Sequence, residues 1–188
     1  MGAGGENPNV KMGDRDGMTK ITDVKLIDFN DKAAIQKAID DFAEKYAYAD
    51  VEHALEISPN GNVYTLKGTK GNVNAEILGK DILKGSISIH NHTLQKGEIM
   101  GDSFSKRDLA FAAEYKLGKQ YLISGKRRDA FEYNGNLGYN NMIKKYNEAF
   151  TKVRELAWNA DTEIIFESEQ VLKILRKSLK GFAFYENI

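Results

Sequence analysis

The sequence contains no cysteine and only three histidines in 188 residues. The absence of cysteine excludes a disulfide framework, a thiolate zinc site and a cysteine nucleophile, and it leaves the redox compartment open. Any transition-metal site in this protein must therefore use nitrogen and oxygen donors.

The chain also lacks a net charge, because 27 lysines and arginines balance 27 aspartates and glutamates. A neutral chain has no long-range attraction for nucleic acid or for an anionic membrane, so we expect neither as a partner. No apolar run approaches the roughly 20 residues of a membrane span, and no signal pattern is present at the start. We expect a soluble protein, either cytoplasmic or delivered as part of a larger protein, and the sequence indicates no oligomeric state.

Large apolar side chains are almost absent from residues 1–20, which are rich in glycine and polar residues. Such a segment buries too little apolar surface to offset the entropy of ordering, so we predict a flexible tail or linker there. The rest of the chain is long enough for a substantial core. We predict a single domain over 21–188, with an N-terminal helix, a core of about 50–133 and two C-terminal helices.

Helical periodicity flanks a region of alternating periodicity. Apolar residues recur at helical spacing after Asn30, a predicted N-cap, and again from Met142 and from Val171. The region between them predicts strands over 51–57, 63–66, 73–77, 87–92, 120–124 and 128–133. These patterns predict an α/β (α+β) fold, in which a mixed, mostly antiparallel sheet is flanked by helices.

Two of the three histidines, His90 and His92, lie at the end of one predicted strand. Side chains alternate along a strand, so both imidazoles are expected on the same side. A helix is predicted from about Ser105 to Leu117, and a carboxylate from its start would complete a three-ligand set for zinc. The fourth position would then be open for water, which is what a hydrolase needs.

The order of these motifs resembles the signature of the JAMM (JAB/MPN) zinc metalloproteases. In that signature H-x-H is followed by a loop and by S-x-x-D, which here are His90-Asn91-His92 and Ser105-Lys106-Arg107-Asp108. The pattern is similar to the JAB-like domains of phage-derived proteins and polymorphic toxins, and it covers about 50–133. The resemblance implies a JAMM/cytidine-deaminase-like three-layer arrangement.

The resemblance also implies the chemistry of the site. It makes His90, His92 and Asp108 the ligands of a zinc ion (Zn²⁺). Glu52 would be the base that takes a proton from the metal-bound water, and Ser105 would donate a hydrogen bond to the oxyanion. The reaction implied is hydrolysis of an amide bond in a peptide or isopeptide-linked protein substrate.

Two of these assignments have alternatives. Glu56 lies on the same face of the predicted strand as Glu52, and Ser103 competes with Ser105 for the role of the hydroxyl. The chain also departs from the family pattern, since Thr93 replaces the proline that commonly follows the second histidine. The segment after Thr93 lengthens the loop, which is expected to affect the choice of substrate.

Other interpretations of the same residues lead away from catalysis. A catalytically inactive JAB-like module, serving as a binding or structural part of a phage or toxin protein, would keep the fold. The motif Ser105-x-x-Asp108 is also a variant of the helix capping box, which needs no metal. The consecutive His-Asn-His letters match HNH nucleases only in name, because that motif is spread over a ββα unit. Lys126–Arg128 is predicted to be a solvated hairpin tip, and Trp158 is predicted to pack a helix against the body.

Overall fold

The structure, a computed structural model, describes residues 19–160 and 166–188. The predicted tail over 1–20 lies outside the described residues except for its last two positions. The strands are β1 (Lys20–Leu26), β2 (His53–Ile57), β3 (Asn62–Lys67), β4 (Ile87–Asn91), β5 (Lys119–Ser124), β6 (Arg127–Tyr133) and β7 (Phe182–Tyr185). The helices are α1 (Lys32–Tyr46), α2 (Lys80–Leu83), α3 (Lys106–Tyr115), α4 (Tyr139–Ala160) and α5 (Glu167–Ser178), with a 3-10 helix at Ala75–Leu78.

The seven strands of the described chain form one sheet in the order β1-β3-β2-β4-β5-β6-β7. Neighbouring strands are antiparallel throughout, except that β4 and β5 are parallel. α3 lies in the crossover between these two strands. The prediction of a mixed, mostly antiparallel sheet flanked by helices is confirmed. Within the described ranges, no helix is both long and apolar enough to cross a membrane.

Helices cover both faces of the sheet. On one face α1 packs through Ile39 and Phe42 against a cluster that includes Ile89. On the other face α3, α4 and α5 share a larger cluster with residues such as Leu122. Because side chains alternate along a strand, His90 lies on the opposite face from Ile89, on the side covered by α3.

Two local predictions are wrong for the same physical reason, because in each case a short polar side chain accepts backbone N–H hydrogen bonds and fixes the local conformation. Asp31 rather than Asn30 is the N-cap of α1, because its carboxylate accepts hydrogen bonds from two amides of the first turn. The strand predicted over 73–77 is a turn into the 3-10 helix instead. The Asn74 side chain accepts a hydrogen bond from the amide of Glu76 at 3.0 Å and caps that helix.

The environment predicted for Trp158 is also wrong, and the prediction of a solvated hairpin tip holds for Lys126 and Arg128 but is wrong for Arg127. Trp158 is 87 % exposed, because the buried face of α4 ends at Val153 and the last turns extend past the core. Arg127 is only 1 % exposed and lies in a buried ion-pair network. The alternation along β6 places Arg127 toward the body, whereas Arg128 faces solvent.

Candidate metal centre

Three potential metal ligands converge where β4 meets the start of α3. The amide of His92 donates to the carbonyl of Ile123 at 3.0 Å, which continues the pairing of β4 with β5 beyond Asn91. His90 and His92 therefore lie on one side, and their Nε2 atoms are 3.2 Å apart. The two Nε2 atoms lie 3.4 and 3.5 Å from the carboxylate oxygens Oδ1 and Oδ2 of Asp108, respectively.

These distances suit a single bound ion. A tetrahedral zinc ion with bonds of about 2.05 Å requires ligand atoms that are about 3.3 Å apart. The group of His90, His92 and Asp108 could hold a metal ion, with nitrogen and oxygen donors. Three protein ligands are also the usual number at a catalytic zinc site, which keeps one position for water.

Asp108 has a second role as part of a capping box at the start of α3. Its Oδ2 accepts a hydrogen bond from the amide of Ser105 at 2.6 Å, and its own amide donates to the Ser105 hydroxyl at 3.4 Å. The box fixes the carboxylate in the position where it meets the two histidines. The capping and ligand interpretations of Ser105-x-x-Asp108 are therefore compatible in this structure.

The two candidate hydroxyls lie in different environments. Ser105 accepts a hydrogen bond within the capping box and lines the cavity beside Asp108, so its own proton can be donated to a ligand. The Ser103 hydroxyl donates to the buried carboxylate of Asp129 at 2.6 Å. Ser103 is not among the residues that line the cavity.

Glu52 lies directly before β2, and backbone hydrogen bonds to Gly68 and Thr69 hold it in the sheet. It lines the same cavity as the three potential ligands. Burial raises the pKa of Glu52 to about 7, although the charge of His92 lowers it and that of Asp108 raises it further. A carboxyl group with such a pKa can both take and return a proton near neutral pH.

Asn91, between the two histidines, was not singled out from the sequence, yet it fixes the position of Glu52. Its side-chain amide donates to the carbonyl of Val51 at 3.2 Å and accepts from the amide of His53 at 2.6 Å. These two partners flank Glu52 in the chain. Asn91 therefore joins β4, which carries the histidines, to the segment that carries the candidate base.

Glu56, the alternative base, also lines the cavity, but it is only 1 % exposed. Its Oε1 accepts a hydrogen bond from Ser88 at 2.7 Å. Burial raises the pKa of Glu56 to about 8, against the effect of the hydrogen bonds from Ser88 and Ser86. The charges of His92 and Asp108 act on the pKa of Glu52 and do not contribute to that of Glu56.

The protonation states of His90 and Asp108 favour a cation, whereas the hydrogen bond and charge of Asp108 raise the pKa of His92 against the effect of burial, so a bound ion would displace a proton from His92. Burial lowers the pKa of His90 to about 4, so its imidazole is neutral near pH 7. Burial alone would raise the pKa of Asp108, but His90, His92 and Ser105 together hold it well below its usual range. A neutral imidazole and an ionised carboxylate are the forms that bind metal ions.

The cavity at this centre has a volume of about 330 Å³. β2, β4 and β5 form its floor, the segment 71–76 forms one wall, and side chains of α3 together with Tyr139 form the other. The long loop over 93–104 is held elsewhere, and none of its residues is among those that line the cavity. The lengthened loop therefore leaves the potential ligands accessible.

That loop is fixed by contacts with β6 and α5. Arg127 Nε donates to the carbonyl of Gly101 at 2.7 Å. The Asp102 carboxylate accepts hydrogen bonds from the amides of Ser168 and Glu169, at the start of α5. The loop therefore serves to join the sheet to the C-terminal helix.

No protein-family model, curated protein or solved structure matches the chain. The functional assignment therefore depends on the motifs and on the geometry of the metal centre.

Proposed function

We propose that the protein is a zinc-dependent metallopeptidase or isopeptidase with a JAMM/cytidine-deaminase-like three-layer fold. The observation that carries this proposal is the convergence of His90, His92 and Asp108, at mutual distances of 3.2 to 3.5 Å, in a cavity that also contains Glu52. The placement of α1 on one face of the sheet and of α3 to α5 on the other supports the fold assignment.

The ligands and the base have complementary roles in amide hydrolysis. A zinc ion held by His90, His92 and Asp108 would supply a water with a pKa near 7 and would polarise the substrate carbonyl. Glu52 accepts the proton of the attacking water on its carboxylate and returns it to the leaving amine. Ser105 donates its hydroxyl proton to the oxyanion that develops on the carbonyl.

The cavity is large enough for the scissile bond of a peptide substrate. A volume of about 330 Å³ is at the lower end of the range for small-ligand pockets and accommodates a scissile bond with its neighbouring side chains. A protein substrate would therefore present an extended tail or an isopeptide branch to this site.

The test is cleavage by the zinc-loaded protein of a mixed peptide library and of lysine-branched isopeptides, read by mass spectrometry. We expect Glu52→Gln to lower kcat by about 10²- to 10⁴-fold, since it removes the base. The zinc content should be unchanged, because Glu52 is not a ligand in this assignment. Glu132→Gln, on the solvent-facing side of β6, is the matched control and should cleave at the wild-type rate.

Two results would contradict the proposal. If wild-type protein with one equivalent of zinc cleaves nothing in either set, the alternative of an inactive JAB-like binding or structural module is favoured. If the protein does not hold stoichiometric zinc after supplementation, the proposed zinc site is wrong.

A further inference from the structure

A second row of polar side chains crosses the floor of the cavity beside the potential metal ligands. Glu56 on β2 is paired with Ser88 on β4, and Ser88 is paired with Gln120 on β5. All three residues line the cavity. Side chains on one face of a strand repeat every second residue, so Ser88 lies about 7 Å from His90 along β4.

Gln120 has an unpaired acceptor in this row. The residue is only 3 % exposed, and its Oε1 has no hydrogen-bond partner within the described structure. Buried side-chain acceptors are nearly always paired in native proteins. An unpaired oxygen on the wall of a cavity therefore indicates that a ligand supplies the donor.

Glu56 offers the complementary group at the other end of the row. Its Oε1 accepts from the Ser88 hydroxyl at 2.7 Å, which orients the carboxyl group, whereas its Oε2 has only a longer contact of 3.5 Å with the Ser86 hydroxyl. Burial raises the pKa of Glu56 to about 8, so the neutral acid with its O–H predominates at neutral pH. The row thus presents an acceptor at Gln120 and a donor at Glu56.

Next to this row, the cross-strand row that contains His90 (the ligand row) begins with a small side chain on β2. Ala54 lies between Glu52 and Glu56 on the same face of the chain and is paired with His90. Its methyl group is the smallest side chain on this part of the floor. A substrate with its carbonyl at the ligand row can therefore extend one side chain over Ala54 toward Ser88.

We propose that Glu56, Ser88 and Gln120 form a subsite for a primary carboxamide, the side-chain group of glutamine or asparagine. The amide N–H of the ligand donates to Gln120 Oε1, and its carbonyl oxygen accepts from Glu56. The placement of a substrate glutamine or asparagine beside the hydrolysed bond rests on the proposed function, whereas the chemistry of the subsite does not. A carboxylate would place a second acceptor against Gln120, and an apolar group would leave its Oε1 unpaired.

The first test measures the binding of small probes to the zinc-loaded protein by NMR titration. Propionamide reproduces the end of a glutamine side chain, and butanone has the same shape but lacks the N–H donor. We expect propionamide to bind about tenfold more tightly than butanone, which corresponds to one hydrogen bond to a buried acceptor. Gln120→Met should remove this difference, and zinc binding should be unchanged.

The role of Glu56 is tested with a conservative pair. Glu56→Gln keeps an acceptor for Ser88 and still has an N–H to donate, so propionamide affinity should stay within about threefold of wild type. Glu56→Leu lacks both groups and should lower the affinity about tenfold or more. A purely structural role would not give this separation between the variants at equal zinc content.

Equal binding of propionamide and butanone to wild-type protein would overturn the proposal. Preference for propylammonium would overturn it in favour of a cationic side chain, and the absence of binding by any probe would overturn it outright. Peptides with glutamine or methionine beside the scissile bond then separate the two proposals. If propionamide binds but no peptide is cleaved, the hydrolase proposal fails and the subsite is supported. If peptides are cleaved without preference and propionamide does not bind, the subsite fails and the hydrolase proposal is supported.

Discussion

At the scale of single residues, Asp108 shows how a structural motif can position a candidate metal ligand. Its carboxylate caps the amide of Ser105 and also lies within 3.5 Å of both histidine Nε2 atoms. The ionised form is held in place by contacts that exist without a metal. The entropy of ordering this ligand is therefore already offset when a cation binds.

Glu56 allows a pH-dependent stability to be predicted at the same scale. Burial raises its pKa from 4.5 to about 8 in the folded protein. Below pH 4.5 both the folded and the unfolded chain hold the proton, so there is no effect. Between pH 4.5 and 8 only the unfolded chain ionises, so the free energy of unfolding of the wild type falls as the pH rises. Above pH 8 the effect is constant.

Glu56→Gln removes this titration and is expected to gain stability relative to the wild type as the pH rises. The difference in free energy of unfolding should grow by a few kcal/mol, on the order of 1 kcal/mol per pH unit, between pH 5 and pH 8. Urea unfolding of both proteins at several pH values measures it. A difference that is constant across this range would show that Glu56 ionises normally in the folded protein.

At the scale of elements, the β6–α5 contact depends on one buried arginine. Arg127 contacts Asp129 at 2.8 Å and Glu169 of α5 at 2.7 Å. Asp129 is fully buried and also accepts from Ser103 in the long loop. The same guanidinium donates to the carbonyl of Gly101. One side chain therefore holds the strand, the loop and the helix together.

Arg127→Met and Arg128→Met form a matched pair of neighbouring substitutions. Arg127→Met should lower the free energy of unfolding by about 3 kcal/mol or more, because it leaves the charge of Asp129 buried without its cation. Arg128→Met should change it by less than about 1 kcal/mol, because the pair of Arg128 with Asp40 is exposed to solvent. Urea denaturation measures both, and equal losses would contradict the assigned role of Arg127.

The elements that form the metal centre could be predicted from the sequence, because their periodicity is strong. Alternation predicts the strand that carries His90, and the capping motif with apolar spacing predicts the start of α3 at Ser105. The buried environment of Arg127 could not be predicted, because a run of three consecutive basic residues is typical of an exposed turn. Its acidic partner Glu169 is also distant in sequence. Only the packing of α5 brings the two together.

At the scale of the whole molecule, the two edge strands were not predicted. β1 is exposed along most of its length, so it has no buried alternation to detect. β7 has only four residues, and it is defined by its pairing with β6, which is distant in the chain. The parallel pairing of β4 with β5 likewise depends on the crossover through α3. Non-local pairing of this kind is invisible to local periodicity.

The candidate metal centre spans this crossover, so a bound ion would cross-link β4 to α3 and stabilise the folded chain. Two substantial apolar clusters hold the fold without metal contacts, so the metal-free protein is expected to stay folded. Zinc at about 100 times its dissociation constant should add about 2.7 kcal/mol by linkage. For a chain of this size the unfolding temperature should rise by about 5 to 10 °C.

Thermal unfolding with excess zinc and with a chelator measures this shift. Asp108→Asn is the matched control, because its amide oxygen still accepts from Ser105 and keeps the cap, whereas its charge as a ligand is lost. The unfolding temperature of this variant should lie within a few degrees of that of the metal-free wild type, because the retained cap preserves about 1 kcal/mol of stability. Added zinc should change this unfolding temperature little. If zinc raises the unfolding temperature of both proteins equally, the ion binds at another site. If the wild type is unfolded in the presence of the chelator, folding itself requires the metal.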